Sequence, residues 1–244
     1  MRHEADERKT GVKLRPHRET LKTRMFCVIF EVQPRPTHWD AYLALASALR
    51  PELARIDGFI DNLRYRSYRH PGLLLSLSVW RNEKALIRWR THALHHPAQE
   101  QGRDQVFADY HLRVGQIIAD NQLSAGQALI EQRLDETETG EAKLVWLIEA
   151  KRPAGLDRQA SPAELAAFLG MHAEPEGLAE WDVFEAILAP EDLLLCLSWR
   201  DAAAASAMPV PGGIRLRQVR IVRDYGMLDR REAPQYYPPV HPKA

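Results

Sequence analysis

Leu73–Asn82 reads LLLSLSVWRN and Leu193–Asp201 reads LLLCLSWRD, the same string with one residue deleted. Each is an apolar, strand-like run closed by Trp-Arg and a residue able to cap a helix, Asn82 or Asp201. Two such junctions in one chain point to an internal repeat. Upstream of the first, His70-Pro71-Gly72 turns the chain and Phe59–Tyr68 alternates as a strand, giving a hairpin. Before it, Asp57-Gly58 ends a helix that starts at Thr37 or Asp40 and runs to about Leu53. Trp39, Tyr42, Leu43, Ala46, Leu49 and Leu53 return along it at helical spacing. Met25–Val32 (MFCVIFEV), closed by Pro34 and Pro36, reads as a buried strand. Downstream, a helix opens at Asn82 or Glu83 and stops at Pro97, a short helix covers Ala98–Val106, and Phe107–Ile118 is a strand.

The order β-α-β-β-α-β is then met again around the second junction. Leu144–Ala150 (LVWLIEA) mirrors the first strand, Ser161–Leu169 is an N-capped helix, and Glu176-Gly177 turns into a strand. Arg215–Ile221 (RLRQVRI) matches His111–Ile117 (HLRVGQI). The expected class is α+β, with two tandem ferredoxin-like units over residues 25–122 and 142–228. Residues 123–141 form the linker and residues 229–244 a proline-rich tail. Each unit makes a four-stranded antiparallel sheet with helices on one face only, so the bare faces can close against each other into a barrel. That predicts an intramolecular pseudo-dimer, with a homodimer as the alternative.

Lysine plus arginine and aspartate plus glutamate balance at 33 each, which favours a small-molecule ligand over nucleic acid or an anionic membrane. No apolar stretch is long enough to span a bilayer, and Cys27 and Cys196 sit inside strands rather than in a disulfide framework, so a cytoplasmic protein is expected. Residues 1–24 are polar and basic and read as a disordered extension. A targeting peptide is the alternative, and Met25 is a candidate initiator.

Counting from Trp-Arg to Leu-Arg shows that the second unit lacks the segment corresponding to about Thr91–Val106, which holds His92, His95, His96, Gln99 and Arg103. A pocket under the second helix is therefore expected in the first unit. There, neutral His95 can take a proton from a substrate, the alternative being a helix-end histidine on backbone carbonyls. Trp89 and Trp80 can stack on a planar ligand. Trp80 recurs as Trp199, which favours the core for it. Arg103 and Arg64 offer charge, and Tyr65 and Tyr110 offer hydroxyls to a carbonyl. Arg113 recurs as Arg217, a pattern for an ion pair within the sheet. His92 and His96 stand i,i+4 on one helix, but too few ligands surround them and no metal site is expected. No phosphate loop, nucleophile elbow or dinucleotide fingerprint occurs.

Gly58-Phe59-Ile60, Arg64-Tyr65, LLSLSVWRNEKALIRWR from Leu74, His95, Gln99, Gly102-Arg103, Phe107, Asp109-Tyr110 and Leu112-Arg113-Val114 together resemble the antibiotic biosynthesis monooxygenase (ABM) family of dimeric α+β barrels. Arg223-Asp224-Tyr225-Gly226-Met227 resembles the tail of its single-domain members. The resemblance implies a cofactor-independent monooxygenase of a small aromatic or quinol-like molecule, with His95 and Trp89 at the reacting centre. The alternatives it leaves are a non-catalytic small-molecule-binding or stress-related protein, and a haem-binding or haem-degrading one. Haem-degrading relatives pair a Trp and a His on this helix with an Asn on the first strand, and Met25–Gln33 contains no Asn.

Overall fold

The protein is described by a computed structural model over residues 20–206, 208–209 and 211–234. In chain order its elements are β1 (Leu21–Thr23), β2 (Phe26–Pro34), α1 (Trp39–Arg55), β3 (Phe59–Ser67), β4 (Leu74–Trp80), α2 (Glu83–Arg90) and α3 (His95–Gln101). A π-helical turn (Gly102–Val106), β5 (Phe107–Asp120), β6 (Gln127–Leu129), β7 (Leu144–Lys151) and α4 (Pro162–Phe168) follow. The chain ends in β8 (Leu178–Ala186), β9 (Asp192–Trp199), α5 (Ala202–Ala205) and β10 (Arg215–Gly226). Eight strands close into a barrel in the order β10-β5-β2-β4-β3-β8-β9-β7, and each half supplies one β-α-β-β-α-β set.

Three helix starts follow capping residues, while α1 begins at Trp39 with no side-chain cap from Thr37 or Asp40. Asn82 accepts from the Ala85 N–H and Asp201 from the Ala204 N–H, while Ser161 forms a capping box with Glu164 behind Pro162. Gly58 and Gly177 precede β3 and β8 with positive φ, and a Cβ on either would lie 2.7 or 2.4 Å from Ala85 or Ala204 in the capped helix. Only glycine lets strand and helix meet this closely.

The pleat divides each strand between two environments. Cys27, Ile29, Tyr65, Leu75, Leu77, Val145, Leu147, Phe184 and Cys196 fill the barrel interior. Burial pushes the Cys27 thiol up to about 12 and raises Cys196 as well, so both behave as small apolar groups. Charged groups lie inside too. Arg113 on β5 binds Glu31 on β2 at 2.7 Å and donates to Ser198 Oγ at 2.7 Å, and Arg217 on β10 pairs with Glu149 on β7. Burial would raise the Glu31 carboxyl, but Arg113 and His111 outweigh it and hold it at about 2. The seam between β5 and β10 repeats the symmetry: His111 bonds Asp224 at 2.6 Å where Arg215 bonds Asp120 at 2.7 Å.

Three readings change in the structure. Leu21–Thr23, placed in the disordered extension, pairs in parallel with Gln127–Leu129 of the linker, while residues 1–19 and 235–244 lie outside the described residues. The linker packs on the barrel, where Gln116 Oε1 accepts from the N–H groups of Gln132 and Arg133. Nothing is deleted between the repeated strands: Trp80 faces Phe26 as Trp199 faces Leu144, and counting back from them Leu74 corresponds to Leu193. Ser198 therefore corresponds to Val79 rather than Ser78, and a one-residue shift of this kind exchanges the two faces of a strand. Pro97 does not stop a helix either. It sits in the first turn of α3, where its missing N–H has no partner to lose, and Thr91–Leu94 separate α2 from α3, so His92 and His96 share no helix face.

Candidate active site

A cavity of about 560 Å³ lies in the N-terminal half between the outer face of the sheet and α1, α2, α3 and the π-helical turn. Its floor is Val28 and Phe30 of β2, Asn62 and Arg64 of β3, Ser76 and Ser78 of β4, and Leu112 and Val114 of β5. These are alternate strand positions, as one sheet face requires. The Arg64 guanidinium and the Ser76 hydroxyl stand near the Tyr42 hydroxyl of α1, which burial raises and they lower in part. Trp89, Arg90, His95 and Arg103 close one side, and Gly102, whose absent Cβ would meet the Phe107 ring at 2.5 Å, lets the helical turn press onto the wall. A volume in this range suits a small ligand.

His95 is the best-defined chemical group on the wall. Its ring stacks on Trp89 at 4.2 Å between centroids and 15° between planes, and Nδ1 lies 2.9 Å from the Trp89 carbonyl oxygen. A carbonyl only accepts, so Nδ1 carries the proton and Nε2 is the acceptor. Burial pushes the imidazole down to about 4, the Trp89 carbonyl opposes this, and His92 and His96 add to it. At neutral pH the ring is uncharged and Nε2 is a base.

Five of the seven residues expected from sequence meet here: His95, Trp89, Arg103, Arg64 and Tyr110. The other two do not. Tyr65 points to the opposite face of β3 from Arg64 and is buried inside the barrel. Trp80 is fully buried against Phe59 and Ala85 and donates Nε1–H to Ser78 Oγ at 2.9 Å, as a core tryptophan does. The cavity also recruits residues that the pattern of the first unit did not show. Arg223 and Tyr225 come from β10, and Arg230, Ala233 and Pro234 from the segment after it. Glu232 fastens that segment by accepting from Thr137 Oγ1 at 2.7 Å and the Asp224 N–H at 2.6 Å. The Arg-Asp-Tyr string at Arg223 was the one sequence signal for this wall.

Among the described residues no group of three or more His, Cys, Asp or Glu is placed to hold a metal ion, and no helix is long and apolar enough to cross a membrane.

Residues 25–101, which contribute most of the floor and roof, match the family described as antibiotic biosynthesis monooxygenase. Jasmonate monooxygenase ABM of Pyricularia oryzae is 48% identical over 221 residues, covering 88% of this chain and 100% of that protein. Among solved structures, a Shewanella oneidensis protein aligns at 15% identity over 38% of this chain and 90% of its own, TM-score 0.36. An aldoxime dehydratase solved with butyraldoxime aligns at 11% identity over 85% of this chain and 81% of its own, TM-score 0.47.

Proposed function

The chain belongs to the antibiotic biosynthesis monooxygenase family, and from that premise we propose that it oxygenates a small jasmonate-like keto acid with His95 as the base. The observation that carries this reading is the uncharged His95, whose acceptor nitrogen belongs to a side chain lining a mainly apolar cavity. Nε2 removes a proton from carbon beside the substrate ketone, and the anion left behind is electron-rich enough to react with O2. One oxygen atom stays on carbon and the other leaves as water. When the product is a new carbonyl the substrate supplies every electron, and when it is an alcohol a reductant supplies two. The stacked Trp89 ring fixes the imidazole, and the surrounding apolar walls exclude water from the anion.

An aromatic or quinol-like substrate is the second reading, favoured by the Phe30, Phe107, Tyr110 and Trp89 rings around the cavity. Haem ligation would use the same neutral Nε2, but Met25–Gln33 lacks the Asn that haem-degrading relatives place on the first strand.

The test is oxygen uptake and incorporation of labelled O2 with jasmonic acid and with simple quinols, with and without ascorbate, plus a visible spectrum after added haemin. Turnover is expected, with a loss of about 10²- to 10⁴-fold in a His95→Ala variant, as for removal of a positioned base. Because His95 is already uncharged at neutral pH, the limb of the rate profile set by this base should persist down to about pH 4. Full activity in the variant would end the assignment of the base. No uptake on any substrate would leave a binding protein.

A further inference from the structure

The cavity carries more positive charge than its own walls balance. Arg90 at the end of α2, Arg223 of β10 and Arg230 after it all line the space, and none of them forms an ion pair with an acidic side chain among the described residues. Glu83, the carboxylate on the cavity wall, is already held by Arg133 at 2.7 Å. Arg90 Nε is buried with no hydrogen-bond partner. Arg90 lies within electrostatic reach of Arg223: burial lowers the Arg90 guanidinium, Tyr225 opposes this, and Arg223 adds to it. Tyr225 beside them offers a neutral hydroxyl rather than a counter-charge, because burial holds it up at about 12. Tyr110 likewise presents a hydroxyl, to which Arg230 donates.

Arg90 and Arg223 are half-buried and Arg230 is exposed, so the cost of lacking an anion falls on Arg90, whose Nε is out of solvent and unpartnered. The planar fork of a guanidinium fits a carboxylate, and the other walls suit an apolar body.

We propose that Arg90, Arg223 and Arg230 form a subsite for the carboxylate of an amphipathic acid, so that the N-terminal half holds the reacting base and β10 of the C-terminal half helps hold the substrate's head. This deepens the monooxygenase reading and rests on it for the acid's being a substrate. It also gives the C-terminal half a task in the site, since Arg223 and Arg230 come from it.

The experiment is calorimetry on the full chain under argon, where no oxygenation can occur, with four probes: jasmonic acid, methyl jasmonate, octanoate and methyl octanoate. Each acid is expected to bind about 10- to 100-fold more tightly than its ester, the range for charge-assisted hydrogen bonds. The double variant Arg90→Met/Arg223→Met should bring the acids down to the affinity of the esters and leave the esters unchanged. The acid-to-ester ratio in the unaltered protein needs no variant and guards against a misfolded one. Equal binding of acid and ester, an unchanged ratio in the double variant, binding of none of the four, or displacement of the acids by equimolar inorganic phosphate each overturns the subsite. Acid-selective binding without oxygen uptake keeps the subsite and removes the monooxygenase. Oxygen uptake with no preference for acids does the reverse.

Discussion

On the outer sheet face of the N-terminal half stand Val28, Asn62, Arg64, Ser76 and Ser78. The matching positions of the C-terminal half, fixed by strand pairing, are Trp146, Trp181, Val183, Leu195 and Leu197. The first set leaves a cavity beneath its helices. The second makes, with Leu165, Leu169, Met171 and Trp199, a continuous apolar core beneath α4 and α5. Trp146 and Trp199 meet there edge to face at 5.6 Å. Inside the barrel the halves stay alike, down to a buried Glu-Arg pair in each. The cavity floor and the continuous apolar core have thus been assigned to opposite halves by side chains on one face of the sheet, with β10 lending Arg223 and Tyr225 to the cavity wall.

The largest test of the shared interior is removal of a cation. Arg113→Met leaves Glu31 buried without its main partner and should cost about 3–5 kcal/mol, measured by denaturant unfolding. Arg217→Met should cost a similar amount, somewhat less because Glu149 keeps 20% of its side-chain surface in solvent against 10% for Glu31. Adding Glu31→Gln to Arg113→Met should recover most of the loss. A cost below about 1 kcal/mol for Arg113→Met, the range of surface pairs, would mean that the interior ion pair is hydrated and that the two halves are not alike there.

The outer face is tested by giving one half the other's residues. Ser76→Leu/Ser78→Leu imports Leu195 and Leu197 into the cavity floor, where open space receives them. Turnover should fall by about 100-fold or more, as when a substrate is displaced by roughly 1 Å, while the lost Trp80 and Asn62 hydrogen bonds to the two serines offset the added apolar burial and hold the melting temperature near its starting value. Unchanged turnover would remove this cavity as the site.

These exchanges also mark what the chain discloses before it folds. Strand runs, the Asn82, Ser161 and Asp201 caps, and the helices on one sheet face are local patterns, and closure of the barrel follows from the faces they leave bare. The register of β9 is not legible in letters, because LLLCLSW matches LLLSLSVW best when Val79 is skipped, whereas the barrel matches faces. His95 and Arg103 are legible through the segment missing from the second unit, and Trp89 through having no tryptophan counterpart there. Asn62, Ser76 and Ser78 are not, since a small polar residue on a strand is ordinary until the pleat shows which way it points. Arg64 and Tyr65 are neighbours with opposite fates for the same reason. Arg223 and Arg230 reach the cavity only by long-range closure of β10 on β5, which no local pattern encodes.

The smallest effect separates the halves by pH. His111 occupies, across the seam, the position that Arg215 occupies in the other half, so one seam contact can titrate and the other cannot. Burial would lower His111, but Asp224 and Glu31 prevail and raise it from its ordinary 6.5 to about 9. A base whose folded value is raised gives stability that is complete below the unfolded value, about 6.5, and lost as pH climbs through about 9. With 39% of the side chain in solvent, screening reduces the contribution to about 1 kcal/mol, or about 2–4 °C in a chain of this size. Between pH 6.5 and 9 the unaltered protein should therefore lose about that much melting temperature relative to His111→Arg, which imports the permanent charge of the other half. Parallel melting curves for the two proteins over this range would show that His111 is not held charged by Asp224, and that the seam contacts of the two halves behave alike.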